Sequence, residues 1–135
     1  MSQFLLDTNV WIQLLKQPSP SLRQRLETEA AGNIVTCSVV KAELWHGALK
    51  FQNSQQRHLT VENLLAPYAS LPFDDEAARF YGSIRHKLET VGQVIGSNDL
   101  KIAAICLAHG LTLVSSNTGE FQRVAGLQLE DWLQK

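Results

Sequence analysis

Several of the features that most simply explain a chain are missing from this one. It has only two cysteines, Cys37 and Cys106, far apart and each embedded in apolar sequence. A disulfide framework or a zinc site needs more cysteines at closer spacing, so both are expected to be buried, reduced thiols. No apolar run approaches the length of a membrane span. The N-terminus lacks the basic region, apolar stretch and cleavage site of a signal peptide, so a cytoplasmic protein with no membrane partner is expected. The four histidines (His46, His58, His86 and His109) form no H-E-x-x-H. Glu43-x-x-His46 matches half of a di-iron motif, but the second copy is absent, and the match is read as accidental. There is also no internal repeat, low-complexity segment or linker, and 135 residues make one domain spanning 1–135.

Nor is there an excess of positive charge: the net charge is −1, which at first argues against a polyanionic partner. At 44% hydrophobic and 19% charged, the composition is that of an ordinary globular domain. What stands out is the position of four acids. Asp7 ends the apolar run Phe4-Leu5-Leu6, Glu43 lies among Val39, Val40, Leu44 and Gly47 on one helical face, and Asp99 opens an almost wholly apolar helix. Glu120 follows the strand-like Leu111-Thr112-Leu113-Val114 by a short turn. With these four set aside, nine acids face twelve Lys and Arg, a balance of +3. Arg85-His86-Lys87, Lys41, Lys50, Arg57 and Lys101 contribute to that basic remainder, although solvated helix faces explain any one of them.

The order of elements decides whether the acids can meet. Phe4 to Asp7 reads as a strand, Val10 to Lys16 as a short helix, and Leu22, Leu26, Ala30 and Ala31 as a helix reaching Gly32. Ile34 to Cys37 reads as a buried strand, with Ser38 available to cap the next helix. A helix over about Ser54 to Leu65 stops at Pro67, and Leu71-Pro72-Phe73 is a strand weakened by its proline. Ala77, Phe80, Tyr81, Ile84, Leu88 and Val91 keep a helical period. Ser97 or Asn98 then caps a helix that ends at His109-Gly110. Leu111 to Val114 and Leu127 to Leu129 are the last two strands. Such alternation predicts an α/β fold: a short parallel sheet of about five strands with helices on both faces. Ligands of open parallel sheets bind at the carboxyl ends of the strands, where Asp7 and Ser115-Ser116-Asn117 fall.

Each acid also has a structural explanation. Asp7 could cap the helix beginning at Val10, Asp99 could complement a helix dipole, and Glu120 could be an exposed loop acid. Glu43 would need a buried ion pair, with Lys41 or Lys101, because an ionised Glu on an apolar face is costly alone. The tryptophans Trp11 and Trp45 are read as core residues, Trp45 especially, or as part of a partner groove if exposed.

The residues carry a resemblance. Phe4-Leu5-Leu6-Asp7-Thr8-Asn9 and Ser38-Val39-Val40-Lys41-Ala42-Glu43-Leu44 resemble the first two motifs of the PIN-domain ribonucleases. Ile95-Gly96-Ser97-Asn98-Asp99 through Ala104 is similar to the third, Ser116-Asn117-Thr118-Gly119-Glu120-Phe121 to the last, and Leu127 to Trp132 to the closing strand. The set resembles the VapC toxins of VapBC toxin–antitoxin pairs in particular. Two departures are Ser115, where a threonine is more usual, and Glu120, where other members carry Asp.

The resemblance implies a single PIN domain acting as a Mg²⁺- or Mn²⁺-dependent endoribonuclease on RNA, transfer RNA or another structured RNA, leaving a 5′-phosphate and a 3′-hydroxyl. Asp7, Glu43, Asp99 and Glu120 would be catalytic, with Asp7 and Asp99 holding the metal, since oxygen ligands select hard cations and Mg²⁺ commonly takes one or two carboxylates. Thr8, Asn9, Ser115 and Asn117 would support the acids by hydrogen bonds. A VapB-type antitoxin and a homodimeric state are implied as well. Three other classes compete. A receiver-type phosphoacceptor needs paired acids at the first strand and a lysine after the last, whereas Asp7 is unpaired and Lys135 terminal. A haloacid-dehalogenase-type phosphatase needs Asp where Asn9 stands. A non-catalytic metal- or RNA-binding module of the same fold is the third.

Overall fold

The computed structural model describes residues 3–133, so Lys135 lies outside them. The chain runs β1 (Phe4–Leu6), α1 (Thr8–Leu15), α2 (Pro20–Thr28), a 3₁₀ turn (Ala31–Asn33), β2 (Ile34–Cys37), α3 (Ser38–Leu49) and α4 (Ser54–Leu65). It continues through β3 (Ala69–Leu71), α5 (Asp75–Thr90), α6 (Ser97–His109), β4 (Thr112–Val114), α7 (Thr118–Phe121) and β5 (Gln128–Glu130). The strands form one parallel sheet in the order β3-β2-β1-β4-β5.

Successive strand residues point to opposite faces, yet every residue of β1, β2 and β4 is buried. Both faces of the central sheet are therefore covered, which is why these strands read as continuous apolar runs rather than alternating ones. β3 and β5 are the edges and stay partly exposed. Pro72 follows β3 directly, at an edge where its missing N–H removes no ladder bond. The core includes Leu5, Leu6, Val10, Trp11, Val40, Leu100, Ile102, Ile105 and Leu113. Burying each large apolar side chain contributes about 1.5–3 kcal/mol. Helix α6 buries Leu100 and every residue from Ile102 to Cys106, so it is wrapped on most sides, and it ends where Gly110 takes a left-handed conformation at φ 64°. Among the described residues no helix is long and apolar enough to cross a membrane.

Chain order and sheet order do not agree, and this creates the site. The chain builds outward from β1 to β2 and β3, then returns across the sheet to place β4 and β5 on the other side. The reversal puts a switch point at the carboxyl ends of β1 and β4, the position where open parallel sheets bind ligands.

Some local expectations are corrected. Cys37, not Ser38, occupies the N-cap of α3, and Gly96, not Ser97 or Asn98, that of α6; neither cap has a side-chain bond. Helix α2 stops at Thr28 instead of reaching Gly32. The third strand lies at 69–71 instead of 71–73, and the segment carrying Glu120 is a helical turn rather than a loop. Trp11 is fully buried, its Nε1 donating to the Leu6 carbonyl at 3.2 Å. Trp45 is 37% exposed and stacks on His58 at 5.9 Å between ring centres, so it is not a core residue. Both cysteines are free and buried; burial pushes the Cys37 thiol up to about 11 and Cys106 higher than usual, and both are unreactive at neutral pH.

Candidate active site

Leu6 pairs with Val114 in the β1–β4 register, so the next residue of each strand, Asp7 and Ser115, emerge side by side. Ser115 Oγ donates to Asp7 Oδ2 at 2.8 Å across 108 positions of sequence. The Thr8 N–H donates to Asp7 Oδ1 at 2.8 Å, because Asp7 is also the N-cap of α1. The capping role is thus real, and the helix starts at Thr8 instead of Val10. Asp7 is only 3% exposed. Burial pushes its pKa up, the bonds from Ser115 and Thr8 hold it down, and the nearby charge of Glu43 pushes it up again.

Glu43 reaches the same point from α3. It is half-buried, and its Oε1 accepts a 2.6 Å hydrogen bond from Thr8 Oγ1. Among the described residues it has no ion pair with Lys41 or Lys101. A hydroxyl and partial solvation satisfy it instead, which leaves its charge uncompensated. Asp99 lies in the first turn of α6, half-buried. Its pKa rises to about 6, first through burial and then through the charges of Asp7, Glu43 and Glu120. All three other acids therefore act on Asp99.

Glu120, on α7, is half-buried and accepts from Asn117 Nδ2 at 3.2 Å. The Asn117 N–H in turn donates to Ser115 Oγ at 3.0 Å, so one chain of hydrogen bonds links Asp7, Ser115, Asn117 and Glu120. Asp7, Glu43 and Asp99 line an open cleft of about 340 Å³ together with Thr8 and Asn9, whereas Glu120 stands beside it. Asn9 is exposed and makes no hydrogen bond to the acids among the described residues, unlike Thr8, Ser115 and Asn117. His46, Lys50 and Asn98 also line the cleft, and the sequence-based set omits them. For His46 and Lys50 the signal was spacing: residues three and seven positions after Glu43 share its helix face.

Could these residues hold a metal? Among the described residues no three His, Cys, Asp or Glu side chains come close enough to form a ready-made cage. The acids that line the cleft offer carboxylate oxygens, which suit a hard cation that keeps most of its waters. Each Asp7 oxygen accepts one hydrogen bond and retains a free lone pair, and the raised pKa of Asp99 marks a site short of positive charge. The residues fit a hydrated divalent ion.

Comparison with known proteins gives consistent matches. The PIN domain family profile matches residues 4–127. Ribonuclease VapC2 of Haemophilus influenzae is 34% identical over 133 residues, 98% of this chain and 100% of the relative. The tRNA(fMet)-specific endonuclease VapC of Shigella flexneri is 36% identical over 132 residues, 98% of this chain and 99% of the relative. Among solved structures, DNA-bound VapBC from Salmonella typhimurium superposes with a TM-score of 0.92 at 32% identity, covering 98% of this chain and 99% of that one.

Proposed function

The chain belongs to the PIN-domain family and, within it, to the VapC ribonucleases, and from that premise we propose that it is a divalent-metal-dependent endoribonuclease, the toxin of a toxin–antitoxin pair. The observation that carries this reading is the gathering of three carboxylates without an ion pair among the described residues, Asp7, Glu43 and Asp99, in one cleft at the switch point of the sheet, with the charge of Glu120 acting on Asp99 from beside it.

Asp7 and Asp99 would hold Mg²⁺ or Mn²⁺. When bound, such an ion neutralises charge on the phosphoryl oxygens and lowers the pKa of water. The remaining steps belong to the chain. Ser115 and the Thr8 N–H fix both oxygens of Asp7, so its free lone pairs keep their direction. Thr8 holds Glu43 by one oxygen, leaving the other to orient and deprotonate the attacking water. Asn117 holds Glu120 where its charge acts on Asp99. Asn9 and Asn98, on the cleft wall, are placed to donate to a phosphate or ribose oxygen. Water attacks phosphorus in line and gives its proton to Glu43, the bond from phosphorus to the 3′-oxygen breaks, that oxygen takes a proton from solvent, and the products are a 5′-phosphate and a 3′-hydroxyl.

Transfer RNA is the substrate class proposed here, because the similar Shigella enzyme acts on tRNA(fMet). A VapB-type antitoxin as partner, a homodimer and a cytoplasmic setting are part of the same proposal; similar toxins were solved as VapBC complexes. The deciding test is cleavage of transfer RNA by purified protein with Mg²⁺. Asp7→Asn and Asp99→Asn should each lose nearly all activity while circular dichroism stays unchanged. A folded Asp7→Asn variant cutting at the wild-type rate refutes the assignment.

A further inference from the structure

A second recess adjoins the acidic cleft and shares Ile12, Glu43 and Gly47 with it. It runs between α1, α3 and α4 and has a volume of about 240 Å³. Buried Leu44, Ala48 and Val61 make its floor apolar. Its outer edge has a different character. Phe51, 46% exposed, stands there with Lys16 and Arg57, and the Arg57 guanidinium carbon lies 4.0 Å from the Phe51 ring centre. Lys50, next in sequence to Phe51, faces the acidic cleft. Among the described residues none of Lys16, Lys50 and Arg57 forms an ion pair; the pairs found there involve Arg25, His58 and Arg85.

A polyanion is repelled by four carboxylates unless cations flank its path. Lys50 and Lys16 supply that flank on the side of the cleft where the recess opens. Unpaired RNA bases stack on aromatic rings and guanidinium planes. At about 240 Å³ the recess has room for one base. We infer that the recess receives the base of a nucleotide next to the scissile phosphate, stacked on the Phe51–Arg57 pair, while Lys50 and Lys16 hold the flanking phosphates. The inference rests on the ribonuclease reading above and narrows it. A base in the recess must lie outside a helix, so the enzyme selects an unpaired stretch, such as a loop of a structured RNA. An apolar protein segment is the rival occupant, but two cations against the single acid Glu43 in the recess favour a polyanion.

The test measures binding separately from cleavage. The full chain carrying Asp99→Asn, which does not cut, is titrated with a short unstructured fluorescein-labelled RNA containing the cleavage sequence. In that background Phe51→Ala should weaken binding about five- to 150-fold, the range for one base–aromatic stack, and Phe51→Trp should restore it. Lys50→Ala should lower the slope of log affinity against log salt by about one. An abasic site at one position beside the cut should cost the parent the same factor as Phe51→Ala and cost the Phe51→Ala variant nothing further. In the cutting protein, Phe51→Ala should raise KM and leave kcat nearly unchanged. The inference is overturned if Phe51→Ala and Arg57→Ala both bind RNA like the parent, or if they weaken only capture of a co-expressed protein partner. It is also overturned if abasic RNA and Phe51→Ala act additively. Failure of the wild type to cut an RNA that it binds counts against the ribonuclease reading alone.

Discussion

Replacing Asp99 with Asn should make the metal-free protein more stable, and the size of the gain follows from its surroundings. Burial and the charges of Asp7, Glu43 and Glu120 move its pKa from 3.8 to about 6. At about 1.36 kcal/mol per pH unit, a fully shielded site would carry a penalty of roughly 3 kcal/mol. Asp99 is only half-buried, so solvent screening reduces that to about 1.5 kcal/mol. Asp99 also lies in the first turn of α6, and losing its charge there forfeits about 0.5 kcal/mol of helix-dipole stabilisation. The net gain is about 1 kcal/mol, or roughly 3–5 °C in Tm for a domain of this size.

The sign depends on pH. Between about pH 4 and pH 6 folded Asp99 retains a proton that the unfolded chain has lost. Native stability therefore falls as pH rises through that window, and the penalty is complete above it. A neutral amide carries no such penalty, so the advantage of Asp99→Asn should be present at pH 7.5 and vanish near pH 4. Melting curves in chelator at the two pH values measure it. Adding Mg²⁺ at pH 7.5 should then raise the wild-type Tm more than the mutant's, because the ion stabilises the fold through sites the mutant has lost. A mutant advantage independent of pH, or a lower Tm at pH 7.5, would refute the electrostatic account of the cleft.

Three other perturbations probe different parts of the molecule. Ser115→Ala removes the hydroxyl that donates to Asp7 and accepts from Asn117; activity or metal affinity should fall about 10- to 100-fold, read as a higher Mg²⁺ requirement for cleavage. Thr36 Oγ1 is the buried side-chain polar atom with no partner among the described residues; Thr36→Val keeps the shape and should raise stability by about 1 kcal/mol in chemical unfolding, without touching activity. Co-expression with the product of the adjacent open reading frame should give a stable, inactive complex. If an antitoxin Arg or Lys enters the acidic cleft, changing it to Ala should restore nuclease activity; the absence of any neutralising neighbour would end the toxin reading.

The parts of the fold that could be read in advance are those set by neighbours in the chain. Apolar runs bounded by turn residues located β1, β2 and β4, and 3.6-residue spacing located α5, because burial symmetry imposes those patterns locally; Pro67 marked the end of α4. Caps were less legible. Ser38 and Ser97 have the right chemistry, but the backbone bends one residue earlier, at Cys37 and Gly96, and the bend decides which residue can cap. The exposure of Trp45 was illegible for a related reason: its own helix shows an apolar face, but only the packing of α3 on α4 determines how much of that face is covered.

The amino-acid sequence by itself determined that this is an α/β chain with four acids at odds with their apolar settings, since both facts are local and chemical. It also placed each acid at the end of a strand or on a helix face from which it could reach a common point. That Asp7, Glu43 and Asp99 share one cleft, with Glu120 close enough for its charge to act on Asp99, was decided by the tertiary structure alone. Asp7 and Ser115 are 108 positions apart, and Thr8 and Glu43 are 35 apart. They meet because the chain reverses its direction of sheet building at β1 and pairs Leu6 with Val114. A shift of one residue in that register would turn the residues that follow it to the opposite face and disperse the site, and register is a property of the assembled sheet that no single segment contains.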